Sequence, residues 1–316
     1  MKRSGFTLVE LVVVLGIVGT ILALLIPALR GGAEAARRAQ CLNNLKQIHL
    51  ALQSYHATHS VYPPGVVDVV RPFSAADATR RSGWPSMILP WAEQWAIYNT
   101  LNFDVASTDP ANSTARRCHL NTFNCPDSSP GRSGWGGTSI LPIGWSAPPP
   151  EYGRSSYVAC HHEVEKAIDA DDHGVFFLNS RVRAADVFDG LSQTIFLGEV
   201  VEPAADGWFV GGRATLRNTG APINGLDLAA LGEAAKSDAW RSSTQTADAL
   251  ESLAASGKVA LPPGYVGGFG SRHRGEGADF AFGDGSVRFI RQAIDPAVYR
   301  RLGHRDDGEE VDDDAY

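Results

Sequence analysis

The hydrophobic pattern of the chain begins with an apolar run that is interrupted by a single charge. Residues 6–29 contain one charged side chain, Glu10, and a short basic segment, residues 1–5, precedes them. A helix of this length extends about 36 Å at the rise of an α-helix. That length is enough to cross the hydrocarbon core of a bilayer. We therefore expect a transmembrane helix at the N-terminus.

The helical pattern continues beyond this run without a break. Apolar residues then recur at steps of three and four, which is the period of a helix with one apolar face. They are Leu42, Leu45, Ile48, Leu52 and Tyr55. Pro63 and Pro64 follow and prevent further helix. The pattern predicts one helix over residues 6–60, whose second half packs against a sheet.

The rest of the chain carries short apolar runs that are typical of strands. Four of them are residues 156–159, 174–178, 194–200 and 207–210. Two more, residues 279–282 and 286–290, flank Gly283-Asp284-Gly285, which predicts a β-hairpin. An antiparallel sheet is the simplest way to pair these runs.

The remaining segments are predicted as connections and short helices. Asp295-Pro296 is typical of a helix start, with aspartate as the cap and proline in the first turn. Residues 226–258 are rich in Ala, Ser and Glu, and we interpret them as a helical insertion. The fold class is therefore α+β: a long N-terminal helix packed on an antiparallel β-sheet domain with loop insertions.

Composition and charge narrow the function classes. The net charge of -7 argues against nucleic acid as a partner. The last segment, residues 306–316, is acidic and predicts a solvated tail. No phosphate loop, nucleophile elbow, dinucleotide fingerprint or metalloprotease helix occurs in the sequence. We therefore expect neither an enzyme nor a cofactor.

The start of the chain differs from a secretory signal. A cleavable signal has its small residues after the apolar run, whereas here Gly5 precedes the run and Glu10 lies within it. The string Gly5-Phe6-Thr7-Leu8-Val9-Glu10 closely resembles a type IV prepilin leader. The resemblance implies that prepilin peptidase cuts between Gly5 and Phe6 and that the new N-terminal Phe6 is methylated.

Glu10 has a specific role in that resemblance. A carboxylate inside a membrane helix costs a few kcal/mol unless it has a partner or reaches the interface. In pilins the partner is the N-terminal amine of a neighbouring subunit, which corresponds here to Phe6. The alternative is that Glu10 lies near the lipid headgroups of an ordinary anchor helix.

A second resemblance covers nearly the whole chain. The motifs that carry it are Cys41-Leu42-Asn43-Asn44-Leu45-Lys46-Gln47, Tyr62-Pro63-Pro64-Gly65, Cys125-Pro126, the segment Asp189 to Thr194 with Gly198-Glu199, and the ending from His273 to Ile290. They resemble domain-of-unknown-function family 1559, whose members combine a prepilin-type N-terminus with a pseudopilin-like body. The family pattern ends in a His ahead of Asp-Gly. Here His273 is followed by Asp284-Gly285 with one residue more than in that pattern.

These resemblances imply four segments: a leader (residues 1–5), a transmembrane and amphipathic helix (6–60), an extracytoplasmic globular domain (61–305) and the acidic tail (306–316). They imply a bacterial, pilin-like or type II secretion pseudopilin G-like structural protein. Its location would be the inner membrane, as a single-pass protein with its globular domain outside the cytoplasm, or a cell-surface filament. Its partners would be prepilin peptidase and other copies of pilins or pseudopilins. The alternative is a membrane-anchored module that binds a solute or glycan, which an aromatic pocket would favour; the candidate aromatic residues are Trp84, Trp91, Trp135, Trp145 and Trp208.

Four cysteines allow three complete pairings. We favour Cys41 with Cys125, because Cys41 should lie at the edge of the buried helix face and both residues fall within the family motifs. Cys118 and Cys160 would form a second pair or stay free. The alternative is four reduced, buried thiols.

Candidate metal ligands are weak. Asp169, Asp171 and Asp172 resemble the start of a calcium loop that lacks its closing glutamate. Residues 160–163, Cys-His-His-Glu, offer zinc-type ligands, with Cys118-His119 as possible partners, but their spacing matches no familiar site. We expect an acidic turn and a surface polar cluster. His273 is expected to be a hydrogen-bonded structural histidine whose partner the sequence does not identify.

Overall fold

The computed structural model describes residues 8–73, 82–126, 153–200, 207–225, 264–273, 275–312 and 315–316. Within the first helix, the side chains of residues 22–34 are outside this description. Several predicted features also lie outside it: Gly5 and Phe6, the insertion at residues 226–258, Trp135 and Trp145.

The chain begins with one long helix, α1, at Leu8–His59. It ends where the sequence predicts, because Ser60 takes a left-handed φ of 62° and Pro63 follows soon after. The predicted N-terminal helix is thus present. Among the residues that the structure describes, however, no helix is both long and apolar enough to cross a membrane.

The strands are short. Their bounds are β1 Val66–Val67, β2 Ser82–Gly83, β3 Tyr157–His162, β4 Ile195–Glu199, β5 Leu216–Asn218, β6 Gly277–Phe282 and β7 Val287–Arg291. Strands β1 and β2 form a small antiparallel pair, and the other five form one sheet in the order β5-β3-β4-β6-β7.

The five-stranded sheet is mixed, which corrects the prediction of an antiparallel sheet. Strands β3, β4, β6 and β7 pair antiparallel with their neighbours, but β5 runs parallel to β3. Strand β5 has three residues and no long apolar run, so its sequence gave no strand signal.

The β6–β7 hairpin and the helix that follows confirm the predicted pattern. Gly285 in the turn has a left-handed φ of 89°, which glycine adopts without strain. The helix α5 is Pro296–Gly303, and the Asp295 side chain accepts hydrogen bonds from the backbone N–H groups of Ala297 and Val298. The cap and the first-turn proline therefore act as expected.

Two predicted strands are wrong. Residues 174–178 contribute only an isolated bridge between Leu178 and Val66, and residues 207–210 form a turn. Their apolar side chains are nevertheless buried in the core. The hydrophobic signal therefore reported burial correctly but not strand pairing.

Along the chain, three short helices follow β2 and precede β3: α2 Trp84–Ile88, α3 Trp95–Tyr98 and α4 Ser113–Arg117. Short 3₁₀ turns accompany them at Leu89–Ala92, Pro110–Asn112, Asn121–Phe123, Ala184–Asp186 and Gly212–Ala214.

The sheet is a middle layer with a core on each side. Tyr157 and Ala159 of β3 face the cluster that contains the buried face of α1, whereas Val158 and Cys160 face the cluster beneath α5. This alternation is expected from the side-chain period of a strand. The fold is therefore α+β, with α1 and α5 on opposite faces of the sheet.

Candidate functional site

The first part of α1 is an exposed apolar surface. Ten large apolar side chains there are between 45% and 78% exposed. They are Leu8, Val9, Leu11, Val12, Val13, Val14, Leu15, Ile17, Val18 and Ile21. Soluble monomers rarely expose a contiguous apolar surface of this extent. We call residues 8–21 the stem; its composition suits an apolar environment or other helices.

Glu10 is an exposed residue in the first turn of the stem. A carboxylate at a helix N-terminus is stabilised by the partial positive charge of the unpaired N–H groups there.

The second part of α1 is anchored in the body. Leu45, Ile48 and Leu52 are completely buried, as the predicted apolar face requires. Cys41 is also buried and forms a disulfide with Cys125, with a Cα–Cα distance of 4.9 Å. The other two cysteines, Cys118 and Cys160, are free thiols.

Hydrogen bonds near the disulfide also hold α1 to the body. The Asn44 side chain donates to the backbone carbonyls of Asn121 and Asn124, at 3.3 and 3.0 Å. The Tyr157 hydroxyl donates to the Cys41 carbonyl at 3.2 Å. The loop that carries Cys125 and the first residue of β3 are therefore both fixed to the same turn of α1.

A buried polar cluster lies against the disulfide. His273 Nε2 is 3.0 Å from Glu199 Oε1 and 3.7 Å from Cys125 Sγ. The other oxygen of Glu199 accepts the backbone N–H of Asp279 at 3.1 Å. His273, which the sequence predicted to be a hydrogen-bonded structural histidine, thus has a specific partner in Glu199, which is 74 residues away in sequence.

The same cluster contains a second carboxylate, Asp279, which is 1% exposed. Burial, with repulsion from Glu199, raises the pKa of Asp279 to about 6, while Arg38 and His273 oppose the shift. The closest Arg38 nitrogen is 3.6 Å from Asp279 Oδ1, an ion-pair distance rather than a hydrogen bond. Arg38 also stacks over the Phe289 ring. The cluster therefore connects α1 to β6 and β7 through charge.

The two ends of the C-terminal motif do not meet. His273 lies before β6, in the cluster just described, whereas Asp284 and Gly285 form the turn after it. Asp284 Oδ1 accepts the N–H and hydroxyl groups of Ser286. Strand β6 therefore separates the histidine from the Asp-Gly turn.

The turn contacts α1 as well. Gln53 donates from its side chain to the Gly283 carbonyl at 2.9 Å. Gly285 lies against the His49 ring, where a Cβ atom would approach within 3.2 Å. Burial lowers the pKa of His49 to about 4, and Asp284 opposes the shift. The His-to-Asp-Gly motif thus contacts α1 at both ends of β6.

The three calcium candidates contact basic side chains. Asp169 pairs with Arg71 at 2.6 Å, and Lys166 lies 3.4 Å from both the exposed Asp171 and Asp172. Asp172 is buried and contacts His161 Nδ1 at 2.8 Å.

The Cys-His-His-Glu segment is not the surface cluster that the sequence predicted. Cys160, His161 and His162 are buried at the end of β3, because that strand lies inside the sheet. Burial raises the pKa of the Cys160 thiol, which favours its neutral form.

The aromatic pocket expected for a binding module is not formed by its described members. Trp84 and Trp208 are fully buried in the core, and Trp91 packs against that core. These side chains contribute to packing.

Comparison with known families identifies the chain. The family described as "Protein of unknown function (DUF1559)" matches residues 32–297, which is most of the chain. The chain belongs to the DUF1559 family. The DUF1559 match includes the disulfide and the buried pair beside it, which are Cys41, Cys125, Glu199 and His273.

The N-terminal part of this DUF1559 protein has a second match. The family described as "Prokaryotic N-terminal methylation motif" covers residues 1–26. Several curated relatives are also similar over 62 residues, or 20% of this chain. They are type II secretion system core protein G from Klebsiella pneumoniae (37% identical, 44% of its length), Vibrio cholerae serotype O1 (36%, 42%) and Escherichia coli K12 (34%, 43%).

The alignment thus spans less than half the length of these relatives. No solved structure matches the chain. These similarities make the DUF1559 chain pilin-like or pseudopilin-like at its N-terminus. Pilin-like and pseudopilin-like families consist of structural subunits and not enzymes.

Proposed function

We propose that this chain is a membrane-anchored, pseudopilin-like structural subunit that prepilin peptidase processes between Gly5 and Phe6. The stem inserts into the inner membrane and the body remains outside the cytoplasm. From there the protein joins a filament or a secretion-system assembly with copies of itself or with other pilin-like subunits.

The exposed apolar surface of the stem carries this proposal. Ten large apolar side chains in residues 8–21 are exposed, although the second half of the same helix buries Leu45, Ile48 and Leu52 completely. Burial of each such side chain contributes roughly 1.5–3 kcal/mol. A bilayer or a bundle of equivalent stems provides that burial, and the match of residues 1–26 to the methylation-motif family supports both uses.

Glu10 gives the stem its assembly register. In an apolar bundle an unpaired carboxylate costs about 3 kcal/mol. The methylated amine of a neighbouring Phe6 offsets that cost, because a secondary ammonium group remains a cation and a hydrogen-bond donor. Only one axial offset between adjacent stems brings the two groups together.

Mass spectrometry of the mature N-terminus tests the proposal. The protein is extracted from membranes, digested, and its N-terminal peptide is sequenced. We expect a peptide that begins with N-methylated Phe6. An intact Met1, or a first residue beyond Leu29, would remove the prepilin assignment.

A matched pair of variants controls for export. Gly5→Ala should leave mostly unprocessed chain in the membrane, since the peptidase recognises the glycine before the scissile bond. Gly16→Ala, in the exposed stem where a new Cβ meets no atom within 4 Å, should be processed normally. Equal processing of both variants would show that Gly5 is not recognised.

A further inference from the structure

Three groups of side chains in the described part of the chain place possible metal ligands together. The first group, Cys41, Cys125, Glu199 and His273, has both sulfurs in the disulfide and so offers no thiolate. The second, Asp189, His304 and Asp307, lies where the C-terminal segment contacts Asp189, and only Asp307 is exposed. The third is His162, Glu163 and His173.

We propose that His162, Glu163 and His173 form a binding site for a first-row transition metal ion, with Zn²⁺ as the ion of choice. Their ligand atoms all lie within 4.8 Å of one another. Two imidazoles and one carboxylate are the ligand set of open zinc sites, in which water or another ligand completes the coordination.

The three side chains converge on one carboxylate. Glu163 Oε2 is 2.8 Å from His162 Nδ1, and Glu163 Oε1 is 3.0 Å from His173 Nδ1. The two imidazole rings lie 4.6 Å apart between centroids, at 31°. Ligand atoms around a tetrahedral zinc ion are separated by about 3.3 Å, given metal–ligand distances near 2.0 Å. The two distances from Glu163 to the imidazole nitrogens therefore differ from that value by only a few tenths of an ångström.

His162 and Glu163 are in direct contact. Glu163 Oε2 lies 2.8 Å from His162 Nδ1, and the backbone N–H of Val164 lies 3.1 Å from the same nitrogen. Glu163 Oε2 is buried and is left without a hydrogen bond of good geometry among the described residues. A metal ion bound by both side chains would satisfy this oxygen.

Access from solvent also suits a metal. The His162 side chain is 3% exposed, whereas His173 is 46% exposed and leaves an entry path from solvent.

A second carboxylate lies near His162. Asp172 Oδ1 is 4.0 Å from His162 Nε2, which is an ion-pair distance and too long for a hydrogen bond. Metal-binding histidines commonly donate their other N–H to a carboxylate, and Asp172 is the nearby candidate for that role. In the sequence, only the adjacent pair His162-Glu163 indicated this site. The third ligand, His173, could not be predicted, because only the fold brings its side chain next to Glu163.

Calorimetric titration with ZnCl₂ tests the proposal on the full 316-residue chain in mild detergent, with the disulfide intact. We expect one zinc ion per chain, and d–d absorption bands when Co²⁺ replaces zinc. Glu163→Gln and His173→Asn should each abolish stoichiometric binding and the Co²⁺ bands. Excess Ca²⁺ or Mg²⁺ should not compete, since these ions prefer oxygen ligands.

The matched control is a Cys118→Ser, His119→Asn double variant, which removes the other zinc-type ligands that the sequence suggests. It should bind zinc like the parent. Absence of zinc binding in the parent, equal binding in the Glu163→Gln and His173→Asn variants, or loss in the control would each overturn the proposal. Circular dichroism checks folding; His173→Asn replaces a half-exposed side chain and so answers the question even if Glu163→Gln misfolds.

Discussion

The Asp279→Asn variant should become more stable relative to the parent protein as the pH rises. Asp279 is buried beside Glu199, and its pKa is about 6 in the folded protein against 3.8 in the unfolded chain. Between those two values the folded state binds more protons than the unfolded state. The stability that the protonated Asp279 side chain gives the folded state is therefore fully present below pH 3.8 and is lost as the pH rises through 6.

The size of the effect follows from the shift in the pKa. A difference of about two pKa units corresponds to about 3 kcal/mol, because each unit is about 1.4 kcal/mol. The asparagine side chain has nearly the same shape and does not ionise. The stability difference between variant and parent should thus become more favourable to the variant by up to about 3 kcal/mol from pH 4 to pH 7.5.

Chemical denaturation followed by tryptophan fluorescence measures this difference across the pH range. Subtracting parent from variant cancels every other titrating group that the two proteins share. Glu310→Gln, an exposed acid on the C-terminal segment, is the matched control and should give a flat difference. A flat difference for Asp279→Asn, or one that favours the parent as the pH rises, would refute the raised pKa of Asp279 that its burial and the neighbouring Glu199 cause.

Three further predictions concern α1. Glu10→Ala should insert into membranes normally but give fewer crosslinks between neighbouring stems; equal crosslink yields would contradict its pairing role. Cys125→Ser should lower the free energy of unfolding by about 4.5 kcal/mol, since the 84-residue loop is no longer closed in the unfolded state; denaturation of the oxidised parent and the variant measures this. Burial lowers the pKa of His49 to about 4, so protonation of its ring favours the unfolded chain. The protein should therefore lose up to about 3 kcal/mol of stability through His49 as the pH falls from 6.5 to 4. His49→Gln should flatten that part of the pH profile, and an unchanged profile would show that His49 is not the titrating group.

Local signals predicted the elements whose structure depends on nearby residues. The end of α1 before Pro63, the Gly283-Asp284-Gly285 turn and the cap at Asp295 each follow from backbone preferences within a few residues. These parts of the fold needed no information about the rest of the chain.

Features that depend on distant residues were not predictable in the same way. The apolar run at residues 174–178 is buried without joining the sheet, because core packing and strand pairing leave the same hydrophobic signal. Strand β5 is parallel to β3 although its three residues carry no pattern. The pairing of His273 with Glu199 depends on the register of the chain entering β6, and only the family motifs marked both residues.

The route by which α1 enters the body has a mechanical consequence. A pull on the stem travels along one continuous helix and reaches a covalent attachment to the body at Cys41. There it passes through a covalent bond to Cys125 and through Asn44 to the same loop. Tension therefore cannot detach the buried half of the helix from the body one turn at a time, because the disulfide holds the turn at Cys41 covalently. The load is instead shared over the whole buried half of the helix, whose contacts would have to shear together.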